Sequence, residues 1–369
     1  MNKLGTMAAA AGNLKRATSL YRMALKEDPE FVFAWYNLGS ALASAKQHQA
    51  ALDCFTRAAT LRPTFAEACA DAGGVALKLG LAEDAVSWCE RALAANAALP
   101  EAWFNLNTAL RLAGRHHDAV TRTWATLRVP EPPGVLDAGM PPCDRPGPVT
   151  VVCIKWGTKY DSSYVNKLRA GVARHLSTPH TFVCFTDDAS GLHVEEMVVR
   201  PLPTDHPDFK AWWTKALLFS PALALAGRLV FLDLDIVIVG SLDAVVATRP
   251  PFAVLATDDM ANEARRGGYN SSVIVWDADN AGVVARVYGM LADAGPRAVF
   301  GVVHRLDHWF EMVLPGMPTL QDLAPGAVVE YAGAAVDAIP PGASIVVFPL
   351  HPKPHHVGDT SWVAEHWVL

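Results

Sequence analysis

The chain has 369 residues, 51% of them hydrophobic and 18% charged, with a formal net charge of −6. That length suffices for two domains, the composition is that of a globular protein, and the negative balance argues against a general nucleic-acid binder. No apolar run reaches the length of a membrane span, and the opening MNKLGTMAAAAGNLKRA lacks the apolar core of a secretion signal, so a cytoplasmic location is expected.

The first third repeats with a period of 34 residues. AWYNLGSAL from Ala34 returns as ACADAGGVA from Ala68 and AWFNLNTAL from Ala102, which puts Trp35, Cys69 and Trp103 in register, then Leu38, Ala72 and Leu106, then Gly39, Gly73 and Asn107. Ala51, Phe55, Ala58 and Pro63 have counterparts in Ala85, Cys89 and Ala92, and upstream in Ala17, Tyr21, Ala24 and Pro29. Small residues at fixed points let two helices approach, aromatic residues fill the gap, and proline closes each unit. The pattern, from Met1 to Leu127, resembles the tetratricopeptide repeat, which implies an all-α superhelix with a concave face. Leu4 and Gly5 fit the first helix of a unit beginning before Met1, so a start further upstream is expected. Asn37, Asp71 and Asn105 occupy one position in successive units. In register they form a polar ladder suited to a peptide backbone, so a protein or peptide partner is expected.

Cysteines stand at 54, 69, 89, 143, 153 and 184 with no Cys-x-x-Cys pair, and those at 54, 69 and 89 fall on helical core positions, as reduced packing thiols do. Residues 128–147 read as a proline-rich linker: from Val129 to Pro148 there are seven prolines and three glycines, which exclude regular helix and sheet. The change of pattern across this stretch predicts that the halves fold independently.

From residue 148 to 369 apolar runs alternate with amphipathic ones. VTVVCI, HTFVCFTDD and RLVFLDLDIVIVG read as buried strands, VNKLRAGVARHL and KAWWTKALLF as helices. Such alternation predicts an α/β domain with a largely parallel sheet, whose ligands bind at the carboxyl ends of the strands. Three polar clusters fall there: Lys155 to Tyr160, Thr186 to Asp188, and Asp233 to Asp235.

Asp233 and Asp235 interrupt one of the most apolar runs of the chain. Unpartnered carboxylates in such a place are costly. At i and i+2 of a strand they share a face and converge. Three partners are considered: a salt bridge to Arg228 or Lys215; the chemistry of a haloacid-dehalogenase-type phosphatase, whose motif however opens its domain; or a divalent cation carrying a nucleotide-sugar diphosphate. The segments CIKWGTKYDSSYVNKL, FVCFTDD, WWTKALLF, FLDLDIVIVGSLD, YNSSVIVW and FPLHPKPHH, in that order, resemble bacterial glycosyltransferases related to the glycogenin-like, family 8 enzymes.

That resemblance implies a Rossmann-like GT-A domain and a retaining transfer from a nucleotide sugar, usually a uridine diphosphate sugar, with Mn²⁺ or Mg²⁺. It implies Asp233 and Asp235 as metal ligands. Lys155, Trp156, Gly157, Asp187, Asp188, Lys215 and Lys353 would meet the donor, and Asn270 and Asp307 the transferred sugar. Two departures stand out. The family's metal-binding histidine falls on Val347 or Pro349, which leaves His351 as the nearest candidate, and a Gly-Asp-Gln triplet is replaced by Leu306-Asp307-His308. The opposed reading is a repeat scaffold whose transferase domain has lapsed.

Overall fold

The computed structural model describes residues 1–127, 149–203, 209, 211–258, 260–261, 268–303, 305–349, 351–357 and 361–369. The linker read at 128–147 and Cys143 lie outside the described residues. The chain divides into a helical unit, Met1–Arg128 with Arg297–His304, and an α/β unit, Val129–Pro296 with Arg305–Leu369.

The helical unit is four helix pairs: α1 (Asn2–Ala10) with α2 (Leu14–Glu27), α3 (Val32–Ser44) with α4 (His48–Leu61), α5 (Ala66–Lys78) with α6 (Ala82–Ala95), and α7 (Pro100–Leu112) with α8 (His116–Leu127). The sequence period has a steric cause. A Cβ on Gly39 would stand 2.8 Å from the Phe55 ring, and one on Gly73 2.5 Å from Cys89 Sγ, so the paired helices touch where only glycine fits. Trp35 and Trp103 both close the preceding turn, their indole N–H groups donating at 2.8 Å to the carbonyls of Pro29 and Ala97. Cys54, Cys69 and Cys89 are buried thiols.

The fourth pair departs from this design. Where the others set glycine against Tyr21, Phe55 or Cys89, Asn107 meets Thr123, whose hydroxyl donates to Asn107 Oδ1 at 2.9 Å. The Asn107 amide in turn donates at 2.8 Å to the carbonyl of Val302, within the segment that joins this unit from late in the sequence.

The ladder residues are engaged inside the array. Asn37 Nδ2 donates to Asn2 Oδ1 at 3.1 Å, Asn105 Nδ2 to the Ala70 carbonyl at 3.0 Å, and Asp71 accepts from Tyr36. In each case the partner lies 35 residues upstream, on the first helix of the preceding unit. The three positions therefore stitch successive repeats, and each amide keeps its carbonyl oxygen for other use.

In the α/β unit, β1 (Val149–Lys155), β2 (His180–Thr186), β3 (Val198–Pro201), β4 (Arg228–Leu232), β6 (Phe252–Ala256) and β7 (Tyr269–Asp277) form one sheet in the order β3-β2-β1-β4-β7-β6. α9 (Ser162–His175) connects β1 to β2. β5 (Ile236–Ile238), β9 (Ile345–Val347) and β8 (Val328–Glu330) make a second, three-stranded sheet.

Two expectations need correction. The first sheet is mixed rather than largely parallel: β1 to β4 pair in parallel, but β7 runs antiparallel to both β4 and β6. β6 and β7 are consecutive strands, and consecutive strands can pair antiparallel with no crossover between them. The second correction concerns RLVFLDLDIVIVG, which is not one strand. It leaves the first sheet after Leu232 and enters the second at Ile236.

Candidate functional site

Asp233 and Asp235 sit at that crossing between sheets, where the chain leaves β4 and enters β5. The Asp233 backbone N–H is held by the Ser272 carbonyl at 2.9 Å. Its carboxylate Oδ2 takes a hydrogen bond from Lys215 Nζ at 2.8 Å. Lys215 comes from the 3₁₀ helix Ala211–Phe219, and its ammonium also reaches the Ser271 carbonyl at 3.0 Å and hydroxyl at 3.2 Å. Asp235 Oδ2 accepts from Lys353 Nζ at 2.5 Å and from Tyr160 OH at 2.7 Å. Lys353 donates further to the carbonyls of Phe348 and Pro349.

Each of the two carboxylates thus has a lysine of its own. Of the salt bridges considered from sequence, the one to Lys215 forms, whereas Arg228 turns to the carbonyls of Pro250 and Thr248. The Asp233 carboxyl is raised to about 6 on balance: burial pushes it up, Lys215 pulls it down, and the neighbouring Asp235 pushes it up again. Burial, then Asp235, raises the Tyr160 phenol, which keeps its proton and donates it.

A second cluster forms at the ends of β1 and β2. Lys155 is buried at the end of β1 and donates to the Asp188 carbonyl at 3.1 Å. The Gly157 N–H donates to Asp187 Oδ2 at 3.0 Å from a backbone φ of +62°, which glycine adopts without strain. Trp156 between them is 43% exposed, so its ring is no part of the core.

Of the two residues implied at the transferred sugar, Asp307 lies in the first turn of the helix Leu306–Val313 and accepts the Ser271 N–H at 3.0 Å. Asn270 is buried, and its side-chain oxygen accepts the Ser272 N–H at 2.9 Å. Ser271 thereby connects Asp307 to Lys215 and so to Asp233. Asn37, Asp71 and Asn105 belong to the other unit. Sequence reading assigned no role to Tyr160, although it lies within the quoted CIKWGTKY run.

His351 does not join the aspartates: among the described residues no group of three or more His, Cys, Asp or Glu side chains is placed to hold a metal ion. Its ring lies 5.7 Å from that of His356. The aspartates themselves fit a hard cation in part. Both lysines and Tyr160 use Oδ2, and among the described residues Oδ1 of each carboxylate accepts no hydrogen bond. Mg²⁺ and Mn²⁺ accept sites of one or two carboxylates completed by substrate phosphates and water. No helix among the described residues is long and apolar enough to cross a membrane.

Residues 32–65 match the tetratricopeptide repeat family, and the N-terminal part of the chain is built of such repeats. No curated protein matches the chain significantly. Among solved structures, the chain is similar to MamA (23% identity over 34% of this chain and 72% of that one, TM-score 0.33). It is similar to MamA from Desulfovibrio magneticus RS-1 (21% identity, 33% and 68%, TM-score 0.32). It is also similar to YrrB, described as a TPR protein with an unusual peptide-binding site (23% identity, 34% and 64%, TM-score 0.32).

Proposed function

We propose that the α/β unit is a metal-dependent glycosyltransferase of the GT-A type, moving a sugar from a nucleotide-diphosphate donor, in keeping with the family resemblance a uridine diphosphate sugar, with retention. The repeats would recruit the acceptor or a partner protein. One observation carries the reading: two aspartate–lysine pairs meet at the carboxyl end of β4, beside the polar ends of β1 and β2. Open α/β sheets bind their ligands at such strand ends.

In this reading Lys155, Trp156, Gly157, Asp187 and Asp188 receive the nucleoside. Lys215 and Lys353 supply positive charge to the diphosphate, and Asn270 and Asp307 face the sugar. A divalent cation on Asp233 and Asp235, Mn²⁺ or Mg²⁺, would neutralise the charge that gathers on the leaving diphosphate. Lys215 is anchored by Ser271 and stays beside Asp233. Lys353 is tied to two carbonyls and to Asp235, and can exchange the carboxylate for phosphate.

The test is a screen of nucleotide sugars for slow hydrolysis with Mn²⁺, which needs no acceptor. Turnover of one of them, abolished by chelation, is expected. The second reading, a tetratricopeptide scaffold with a lapsed transferase domain, is favoured by the absence of a third ligand among the described residues. It predicts no turnover of any donor while partner binding through the repeats persists.

A further inference from the structure

Asp235 is the node of a closed ring of contacts. Its Oδ2 accepts from Tyr160 OH at 2.7 Å. The Tyr160 ring meets the Tyr164 ring at 4.7 Å, and Tyr164 OH bonds to His355 Nδ1. The His355 and His356 rings lie 3.9 Å apart, His356 Nδ1 accepts the Lys353 backbone N–H at 3.0 Å, and Lys353 Nζ returns to Asp235 Oδ2. The ring joins two distant parts of the sequence. Tyr160 directly precedes Asp161, which caps α9 by accepting the Ser163 N–H at 2.9 Å. Lys353 sits on the C-terminal turn that includes the helix Pro354–His356.

The two donors on Oδ2 differ in kind. Lys353 is a cation, and an incoming diphosphate competes with the carboxylate for it. Tyr160 is a neutral phenol fixed to a capped helix and has no such attraction to phosphate. We propose that Tyr160 is a positioning residue of the donor site: it holds Oδ2 of Asp235 when Lys353 turns to the diphosphate, so that the carboxylate keeps the orientation in which it would hold a cation. This rests on the reading of Asp235 as a donor-site carboxylate. Without the phenol, the carboxylate would rotate freely once Lys353 had left, and the ordering of one acidic ligand would have to be supplied at each binding event.

The experiment compares the full chain with Tyr160→Phe, which removes one oxygen and keeps the ring contact with Tyr164. Mn²⁺ binding is followed by the electron paramagnetic resonance signal of the free ion, and uridine diphosphate binding by calorimetry, with Mn²⁺ and with chelator. Mn²⁺ binding without nucleotide, where Lys353 still holds Oδ2, should change little. Mn²⁺-dependent nucleotide binding should weaken by about tenfold, as loss of a hydrogen bond to a charged group does, with nucleotide binding in chelator unchanged. A merely structural tyrosine would weaken nucleotide binding alike with Mn²⁺ and in chelator, and that result overturns the proposal. Equal Mn²⁺-dependent nucleotide affinity in parent and variant also overturns it while leaving the donor site standing. A parent that binds no nucleotide in the presence of Mn²⁺ overturns the donor-site reading and this inference with it.

Discussion

Five donors converge on Asp243: the backbone N–H and hydroxyl of both Ser177 and Thr178, and the Ser241 hydroxyl. Burial pushes this carboxyl up, but the bonds from Thr178, Ser177 and Ser241 outweigh it and hold the group well below its ordinary 3.8. A depressed folded value stabilises the fold at pH above the unfolded value, and that stability is lost as pH falls through the folded one. Solvent screens this corner, so Asp243→Ala should cost about 1 kcal/mol at pH 7, and the gap between variant and parent should close as denaturation is repeated below about pH 4. A gap independent of pH would mean that packing, not charge, holds this corner. At the proposed donor site the charges would act on chemistry. Removing a preorganised charge-stabilising contact costs about 3 kcal/mol, roughly 10²-fold in rate. Asp233→Asn or Asp235→Asn should lower donor hydrolysis at least that far while circular dichroism stays that of the parent.

The paired helices depend on close approach, and single atoms test it. Gly39→Ala places a methyl 2.8 Å from the Phe55 ring. Overpacking of this kind costs about 1–3 kcal/mol, read as a lower midpoint in chemical denaturation. The stitch between repeats gives a further test. Replacing Asn37, Asp71 and Asn105 together by alanine removes three bonds that run between successive units. The melting temperature should fall by several degrees, as a few kcal/mol does in a unit of this size. Unchanged melting with lost partner binding would mean that the residues serve the partner alone. The repeats were legible in the sequence because the steric demand, a small residue facing a larger one on the partner helix, recurs at fixed spacing in the first three units. The break between β4 and β5 was not. Leu232, Leu234 and Ile236 are all buried, so hydrophobicity runs across a point where the backbone changes sheets. Strand direction was equally hidden, since a buried apolar run reads the same in parallel and antiparallel neighbours. The lysines at 215 and 353 were legible as site residues. The pairing of Lys353 with Asp235 was not, because 118 residues separate them. Nor was the part played by Tyr160, which depends on the same fold.

For the whole molecule, the sequence suggested two halves divided at the linker, and the segment Arg297–His304 complicates that division. Val299, Val302 and Val303 are buried, and the Val302 carbonyl takes the Asn107 amide of α7. A chain reduced to residues 149–369 keeps the segment without Asn107 and Thr123. It should sediment as aggregates at concentrations where the full chain is monodisperse, and a soluble, cooperatively melting fragment would restore the simpler division. In the proposed reading Asp233 and Asp235, each beside its lysine, form the diphosphate end of a donor site. Calorimetric titration of the full chain with uridine diphosphate, in Mn²⁺ and then in chelator, tests it most directly. Binding in Mn²⁺ that weakens on chelation, with little response to chelator in Asp233→Asn and Asp235→Asn, is the expected result. Equal affinity with and without the metal would make the two aspartates structural partners of Lys215 and Lys353 and contradict the account.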